Sequence, residues 1–309
     1  MPAEIEDTYA EAFRSIYAEV LVTARDRTWL AHACAHATGH ASSTILCDCE
    51  AGVSEELDEA DTPDGRPGAV LQFHVPRFKK DREHALYRVL LERVSQNVLT
   101  CPTAAAFTTM TADADAGRSI PLGRKVSYFG DGHEYQAARH GRDGWVVPTL
   151  GGEFFLEADF GWADGIMGGN LWFCGESEDA ALDAGTAAVG AVAGVPGVVT
   201  PFPGGLAGSA SKAGSKYKFL IASTFAEWCP TLKSELGGKS LVPDGVASIQ
   251  EIIINGRDLD AVTAATRAAI DAAKGTPGLK LIRAGNYGGR LGKSFIPLIA
   301  GSTPWEADS

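Results

Sequence analysis

Residues 246–295 read VASIQEIIINGRDLDAVTAATRAAIDAAKGTPGLKLIRAGNYGGRLGKSF. A β-branched run, Ile249 with Ile252, Ile253 and Ile254, stops at Asn255-Gly256. An alanine-rich helical segment follows, Thr276-Pro277-Gly278 turns the chain, a second apolar strand returns, and a glycine-rich loop closes the stretch. This is a β-α-β unit with one carboxylate, Glu251, inside its first strand. Alternation puts Ala247, Ile249, Glu251 and Ile253 on one face. A carboxyl held among such neighbours resists ionisation, whereas a strand glutamate facing water does not. The pattern alone leaves both readings open.

The same plan occurs twice. Laid over one another without gaps, 170–197 and 251–278 match at Gly175/Gly256, Asp179/Asp260, Gly194/Gly275, Pro196/Pro277 and Gly197/Gly278. The chain thus reads as recurring split β-α-β pieces, with a weaker third copy at 67–107. In this register Glu251 falls opposite Asn170, so only the second copy carries an acid in its strand. A repeated scaffold with one acid is what a reaction needing a single proton donor requires.

With 309 residues the chain is one large or two ordinary domains, and 45% hydrophobic with 21% charged residues is the composition of a soluble globular protein. A net charge of -12 argues against a nucleic-acid partner. No window approaches the roughly 20 apolar residues of a membrane span, and MPAEIEDTYAEAF lacks a secretory signal, so a cytoplasmic location without membrane contact is expected. Six cysteines in so long a chain read as reduced thiols, and Cys47-Asp48-Cys49 has no second pair at zinc-site spacing.

In the N-terminal half, 12–24 reads as a strand, Asp26 as an N-cap, 27–38 as a helix, 42–48 as a strand and 51–68 as a loop. Then 69–75 reads as a strand, 81–96 as an amphipathic helix and 97–102 as a returning strand. That order predicts a ferredoxin-like lobe. His32, His36 and His40 share helical spacing, which reads as a solvated stripe rather than a metal face. Residues 124–135 read as a strand ending at Gly130-Asp131-Gly132, followed by short strands at 144–148 and 152–160. A strand at 165–177 then leads into a helix at 179–194. The expected domains are 1–122 and 123–309, the second built of the repeats and allowing segments to be exchanged between lobes.

Two loops join glycine to positive charge, 201–219 and 286–295. Neither has P-loop spacing: Tyr287 stands where a glycine is needed before Gly292-Lys293-Ser294. They remain either ordinary flexible loops or anion cradles of backbone N–H groups beside basic side chains. Candidate substrate contacts are Gly204, Gly205, Ser209, Lys212, Ser215 and Lys216 in the first loop. In the second they are Asn286, Tyr287, Gly288, Gly289, Arg290 and Lys293. Cys229 is either a structural thiol or an acyl-carrying nucleophile, for which no histidine lies in the C-terminal half.

The runs IEDTYAEAF, ATGHASSTILC, TPDGRPG, CPTAAAF, SYFGDG, GIMGGN, PFPGGLAGSASKAGSKYKF, CPTLK, QEIIING and AGNYGGRLG span nearly the whole chain in order. Together they resemble the formylmethanofuran:tetrahydromethanopterin formyltransferase family. The resemblance implies an α+β fold of two ferredoxin-like lobes and formyl transfer between the amine of methanofuran and N5 of a tetrahydromethanopterin. It implies no bound cofactor or metal, these carriers serving as co-substrates. A homotetramer built as a dimer of dimers, with sites at subunit interfaces, is also implied. The matching strand glutamate is Glu251, which the resemblance makes the key acid. The moderate acidity brings the chain nearer to methylotroph relatives, which work in a formyltransferase/hydrolase complex during formaldehyde oxidation. The competing reading is a non-catalytic methanofuran-binding scaffold subunit of such a complex. The histidine stripe and the C-terminal run after Phe295 are not family features.

Overall fold

Strand Phe160–Gly175 leads into helix Glu178–Val192 and strand Val198–Val199, and strand Ser248–Gly256 leads into helix Leu259–Ala273 and strand Leu279–Arg283. The two copies correspond residue for residue at both helix boundaries and at the start of the returning strand, in the register read from Gly175/Gly256. The computed structural model describes residues 2–113 and 116–306, and these form two compact units. One comprises the residues up to Phe13 and those from Ile166 onward; the other is Arg14–Gly165. The boundaries lie inside the strands Tyr9–Thr23 and Phe160–Gly175 rather than at 122/123. Nothing in an unbroken strand pattern marks such a crossing.

In the first unit the four repeat strands run in the order Leu279–Arg283, Phe160–Gly175, Ser248–Gly256, Val198–Val199, each antiparallel to its neighbour. The central pairing has the symmetry of the repeat: Asn170 lies opposite Ile253, and their counterparts Glu251 and Trp172 lie opposite each other. The two long helices are capped alike. Ser177 accepts from the Ala180 N–H at 3.1 Å, and Asp258 from the Ala261 N–H at 2.7 Å. They cover one sheet face through Ala184, Ala188, Ala265 and Ala269, small residues that permit close approach, over Leu171, Phe173, Ile252 and Ile254. Tyr9 to Ala12 pair antiparallel with strand Ser294–Pro297.

In the second unit the strand order is Glu50–Leu57, Gly68–Pro76, the Arg14-to-Thr23 portion of the long strand, Ala105–Phe107, Gly152–Glu157, Arg142–Thr149 and Tyr135–Arg139. Helices Arg27–Thr38 and Arg82–Arg93 form as expected, the first capped by Asp26. Four expectations fail. Residues 42–48 are turns, because the apolar run is short and the Glu50 carboxylate captures the Thr44 N–H at 3.1 Å. The strand is Glu50–Leu57, inside the expected loop, where an edge position leaves its acidic side chains room to face water. Instead of a strand at 97–102, the second helix runs on as a π-helical stretch, Val94–Val98, burying Val94 and Val98. Pro102 and the left-handed Thr103 delay the strand to Ala105. Residues 124–135 begin as helix Leu122–Ser127, because Arg124 stacks over the rings of Tyr128 and Trp145 at 4.3 and 4.4 Å.

Since the paired helices depend on their caps, Ser177→Ala and Asp258→Ala are each expected to lower the unfolding free energy by about 1 kcal/mol. Denaturant titration measures this, and unchanged midpoints would show the caps to be dispensable.

Candidate active site

Glu251 is only 7% exposed on strand Ser248–Gly256, with no basic partner among the described residues. Its neighbour across the sheet is Trp172, and Asn170 lies two residues along on the same face of that strand. Trp172 Nε1–H and Asn170 Nδ2–H both donate to Oε1 of Glu251, each at 2.8 Å. Burial raises the Glu251 pKa above the ordinary carboxylate value and outweighs the two donors, which lower it. The acid therefore faces two polar donors on one oxygen, not the wholly apolar surroundings read from Ile249 and Ile253. Among the described residues Oε2 has no such hydrogen bond.

Aromatic rings frame the acid. Trp172 meets Phe225 and Trp228 edge-on at 5.8 and 5.5 Å, and the Arg283 guanidinium lies 3.7 Å from the Trp228 ring centre. Arg283 is paired with Glu6 at 3.0 Å. This unit contains no histidine, all seven preceding residue 141. Acid–base chemistry within it falls to carboxyl, phenol, amine or thiol groups.

Both glycine loops reach the acid. The backbone of Glu251 exchanges hydrogen bonds with Ala207 at 2.8 and 3.0 Å, which anchors the first loop. Tyr287 Oη donates to the Ser211 carbonyl at 2.7 Å and joins the second loop to the first. Burial first, then the Glu251 and Glu11 charges, push the Tyr287 phenol up to about 12. Gly205 packs where a Cβ would come within 2.7 Å of Val189, and Gly292 where a Cβ would overlap the Ala12 carbonyl. Any side chain would displace these loops.

The loops do not offer free amides, however. The N–H groups of Tyr287, Gly289, Leu291 and Gly292 all donate to the Glu11 carboxylate, so the expected open anion cradle of the second loop is filled from within. The polar side chains are also engaged. Asn286 donates to Thr8 Oγ1 at 2.8 Å, Arg290 to the Tyr287 carbonyl at 3.2 Å and Lys293 to the Gly289 carbonyl at 2.8 Å. In the first loop Lys212 pairs with Glu227 at 3.0 Å, Lys216 lies over the Tyr217 ring at 5.1 Å, and Ser215 Oγ accepts from the Tyr217 N–H at 3.0 Å. Gly204 and Ser209 are exposed, as is Gly288. The Cys229 thiol lies 3.3 Å from Thr224 Oγ1. Among the described residues no group of three or more His, Cys, Asp or Glu could hold a metal ion, and His32, His36 and His40 are exposed. No helix among them is long and apolar enough to cross a membrane. A cavity of about 460 Å³ beside Thr108, Arg142 and Asp159 belongs to the other unit and has no part in this arrangement.

Two matches of family models cover almost all of the chain. Residues 2–149 match the formylmethanofuran-tetrahydromethanopterin formyltransferase model, and residues 152–300 match its proximal lobe. The chain belongs to this formyltransferase family. Relatives of that name from Methanocaldococcus jannaschii and Methanosarcina mazei are 44% and 45% identical; each match covers 94% of this chain, with 94% and 95% of the relatives. The solved formyltransferase of Methanosarcina barkeri superposes with a TM-score of 0.88 at 42% identity, covering 96% of this chain and 97% of the other. A chain of the formyltransferase/hydrolase complex of Methylorubrum extorquens, solved with methylofuran, gives 0.86 at 37%, covering 95% of each. Of these two structures the archaeal one has the higher identity.

Trp172 and Glu11 escaped the sequence reading. Trp172 could have been found, since it follows Asn170 by two residues in a strand already aligned with Glu251. Glu11 shows only as an acid amid the small residues of YAEAF.

A neutral Glu251 favours the fold at low pH, and this contribution is lost as pH rises through its raised folded-state pKa. Glu251→Gln keeps the neutral form at every pH. The variant is expected to be at least as stable as wild type at neutral pH, with the margin narrowing on acidification. A neutral-pH deficit that acidification leaves unchanged would contradict a protonated acid.

Proposed function

We propose that the protein transfers a formyl group between the amine of methanofuran and N5 of a tetrahydromethanopterin, with Glu251 in its protonated form as the acid. The observation that carries this is the geometry at the carboxyl: two donors occupy Oε1 of a buried acid whose pKa is raised. The proton then resides on Oε2, the oxygen left to face substrate.

The attacking nitrogen must be unprotonated. As it bonds to the formyl carbon, the carbonyl oxygen becomes an oxyanion, and Oε2–H donates to it without first being stripped of water. Collapse of the tetrahedral intermediate restores the C=O bond, breaks the bond to the departing nitrogen and returns the proton to Glu251. The proton lost by the attacking nitrogen replaces the bond on the leaving one. Asn170 Oδ1, buried and without a hydrogen-bond partner among the described residues, is an acceptor available to the amine N–H. The carriers are co-substrates rather than bound cofactors. From the loops, the exposed Gly204, Ser209 and Gly288 lie open to them, and Lys212, Arg290 and Lys293 reach them by exchanging their present partners for substrate.

The methylofuran-bound formyltransferase/hydrolase complex of the Methylorubrum relative supports a place beside hydrolase subunits; a cytoplasmic role in one-carbon oxidation is part of the same proposal. An exposed apolar run, in which Tyr217, Phe219 and Ile221 are 51%, 80% and 65% exposed, supports burial of this surface in an assembly, which the proposal takes to be a homotetramer. The strand orders of both units match split β-α-β lobes and support a ferredoxin-like reading of each.

Glu251→Gln is expected to lower kcat on the order of 100-fold or more while leaving KM little changed; near-normal turnover sinks the acid role. Trp172→Phe removes one donor to the ionised form, so the alkaline limb of the rate profile is expected at higher pH than in wild type. A limb that stays in place would show that this bond does not tune the acid.

A further inference from the structure

Glu11 is a buried acid that this reaction does not consume. It is 1% exposed, on strand Tyr9–Thr23, and directly opposite Phe295 across the pairing with strand Ser294–Pro297. Oε1 accepts from the N–H groups of Tyr287 and, at 2.9 Å, Gly289. Oε2 accepts from those of Leu291 at 3.0 Å and Gly292 at 3.4 Å. Backbone N–H groups converging in this way form the concavity that elsewhere holds a phosphate or carboxylate of a ligand. Here the anion comes from the chain itself, on a strand fixed by sheet pairing.

The loop needs such an anchor. Gly288 and Gly289 both adopt positive φ, at 63° and 68°, a backbone with many alternatives to lose on ordering. Among the described residues the Lys293 and Arg290 side chains donate to carbonyls of the loop itself, so they brace it internally without attaching it to the sheet. Apart from Glu11, Asn286 on Thr8 and Tyr287 on Ser211 are its polar ties among the described residues. Two of the three ties thus reach the short segment from Thr8 to Glu11.

We propose that Glu11 is the positioning residue of the active-site loop: its carboxylate stands in for a ligand anion, orders residues 287–292 and sets Tyr287 against Ser211 beside Glu251. The inference rests on Glu251 as the catalytic acid, so its test carries a readout independent of turnover. Glu11→Ala opens the cradle, and acetate is the probe that can refill it. Glu11→Gln keeps the shape but turns an N–H donor toward N–H donors.

The measurements are hydrogen–deuterium exchange over 286–293 and steady-state kinetics, on the enzyme with any subunits that copurify. In Glu11→Ala, exchange is expected to quicken and kcat to fall on the order of 100-fold, as loss of positioning does. Acetate is expected to slow exchange and raise kcat over the same saturable concentration range. Glu11→Gln is expected to show both defects and to ignore acetate. Should Glu11→Ala fail to fold, Glu11→Gln decides alone: quickened exchange with lowered kcat supports the proposal, and any other pair of results overturns it. Acetate that slows exchange without restoring turnover also overturns it, because the loop would then be ordered without serving catalysis. Wild-type turnover in Glu251→Gln would instead remove the underlying acid role, whatever the loop does.

Discussion

The antiparallel register that sets Trp172 opposite Glu251 is the constraint on which the site depends. A shift by one residue would turn Glu251 to the other face of the sheet and withdraw both its donors. The register is held from both sides, by the returning strand Leu279–Arg283 against the central strand and by Ala207 against Glu251 itself. Because the two copies pair symmetrically, the position equivalent to the acid in one copy becomes its hydrogen-bond donor in the other. Repetition thereby supplies a buried acid and its hydrogen-bond support from one scaffold.

Two buried carboxylates in this unit are treated in opposite ways. Glu11 receives four backbone N–H groups distributed over both oxygens, an arrangement that matches the acceptor capacity of a carboxylate anion. Glu251 receives two donors on one oxygen only, too few to offset its burial, and its pKa is raised. Glu11 carries donors on both oxygens and Glu251 on one. The distinction follows from the number and placement of donors, since both sit in strands.

The aromatic wall adds a third element. Trp172 does two jobs, donating to Glu251 and packing against Phe225 and Trp228, so that movement of the segment 225–228 would be felt at the acid. Tyr287 ties the second loop to the first through Ser211. The loops therefore act on the acid through packed rings and backbone contacts, and their basic side chains are largely engaged within the loops.

The sequence by itself determined the repeat, the Asp26 cap and the two long helices, because each depends on local periodicity or on short-range hydrogen bonding, while the candidacy of Glu251 came with the family resemblance. It also determined the family, through motifs spread over the whole chain. It misled at 42–48, 97–102 and 124–135, where the outcome turned on which partner captured a short apolar run: the Glu50 carboxylate, a continuing helix, or the Arg124 stack. Only the tertiary structure decided that Asn170 and Trp172 share one oxygen of Glu251 and that Glu11 fills the glycine loop. Those contacts join residues 79 to 281 positions apart, and no local pattern encodes which buried donor finds which buried acceptor.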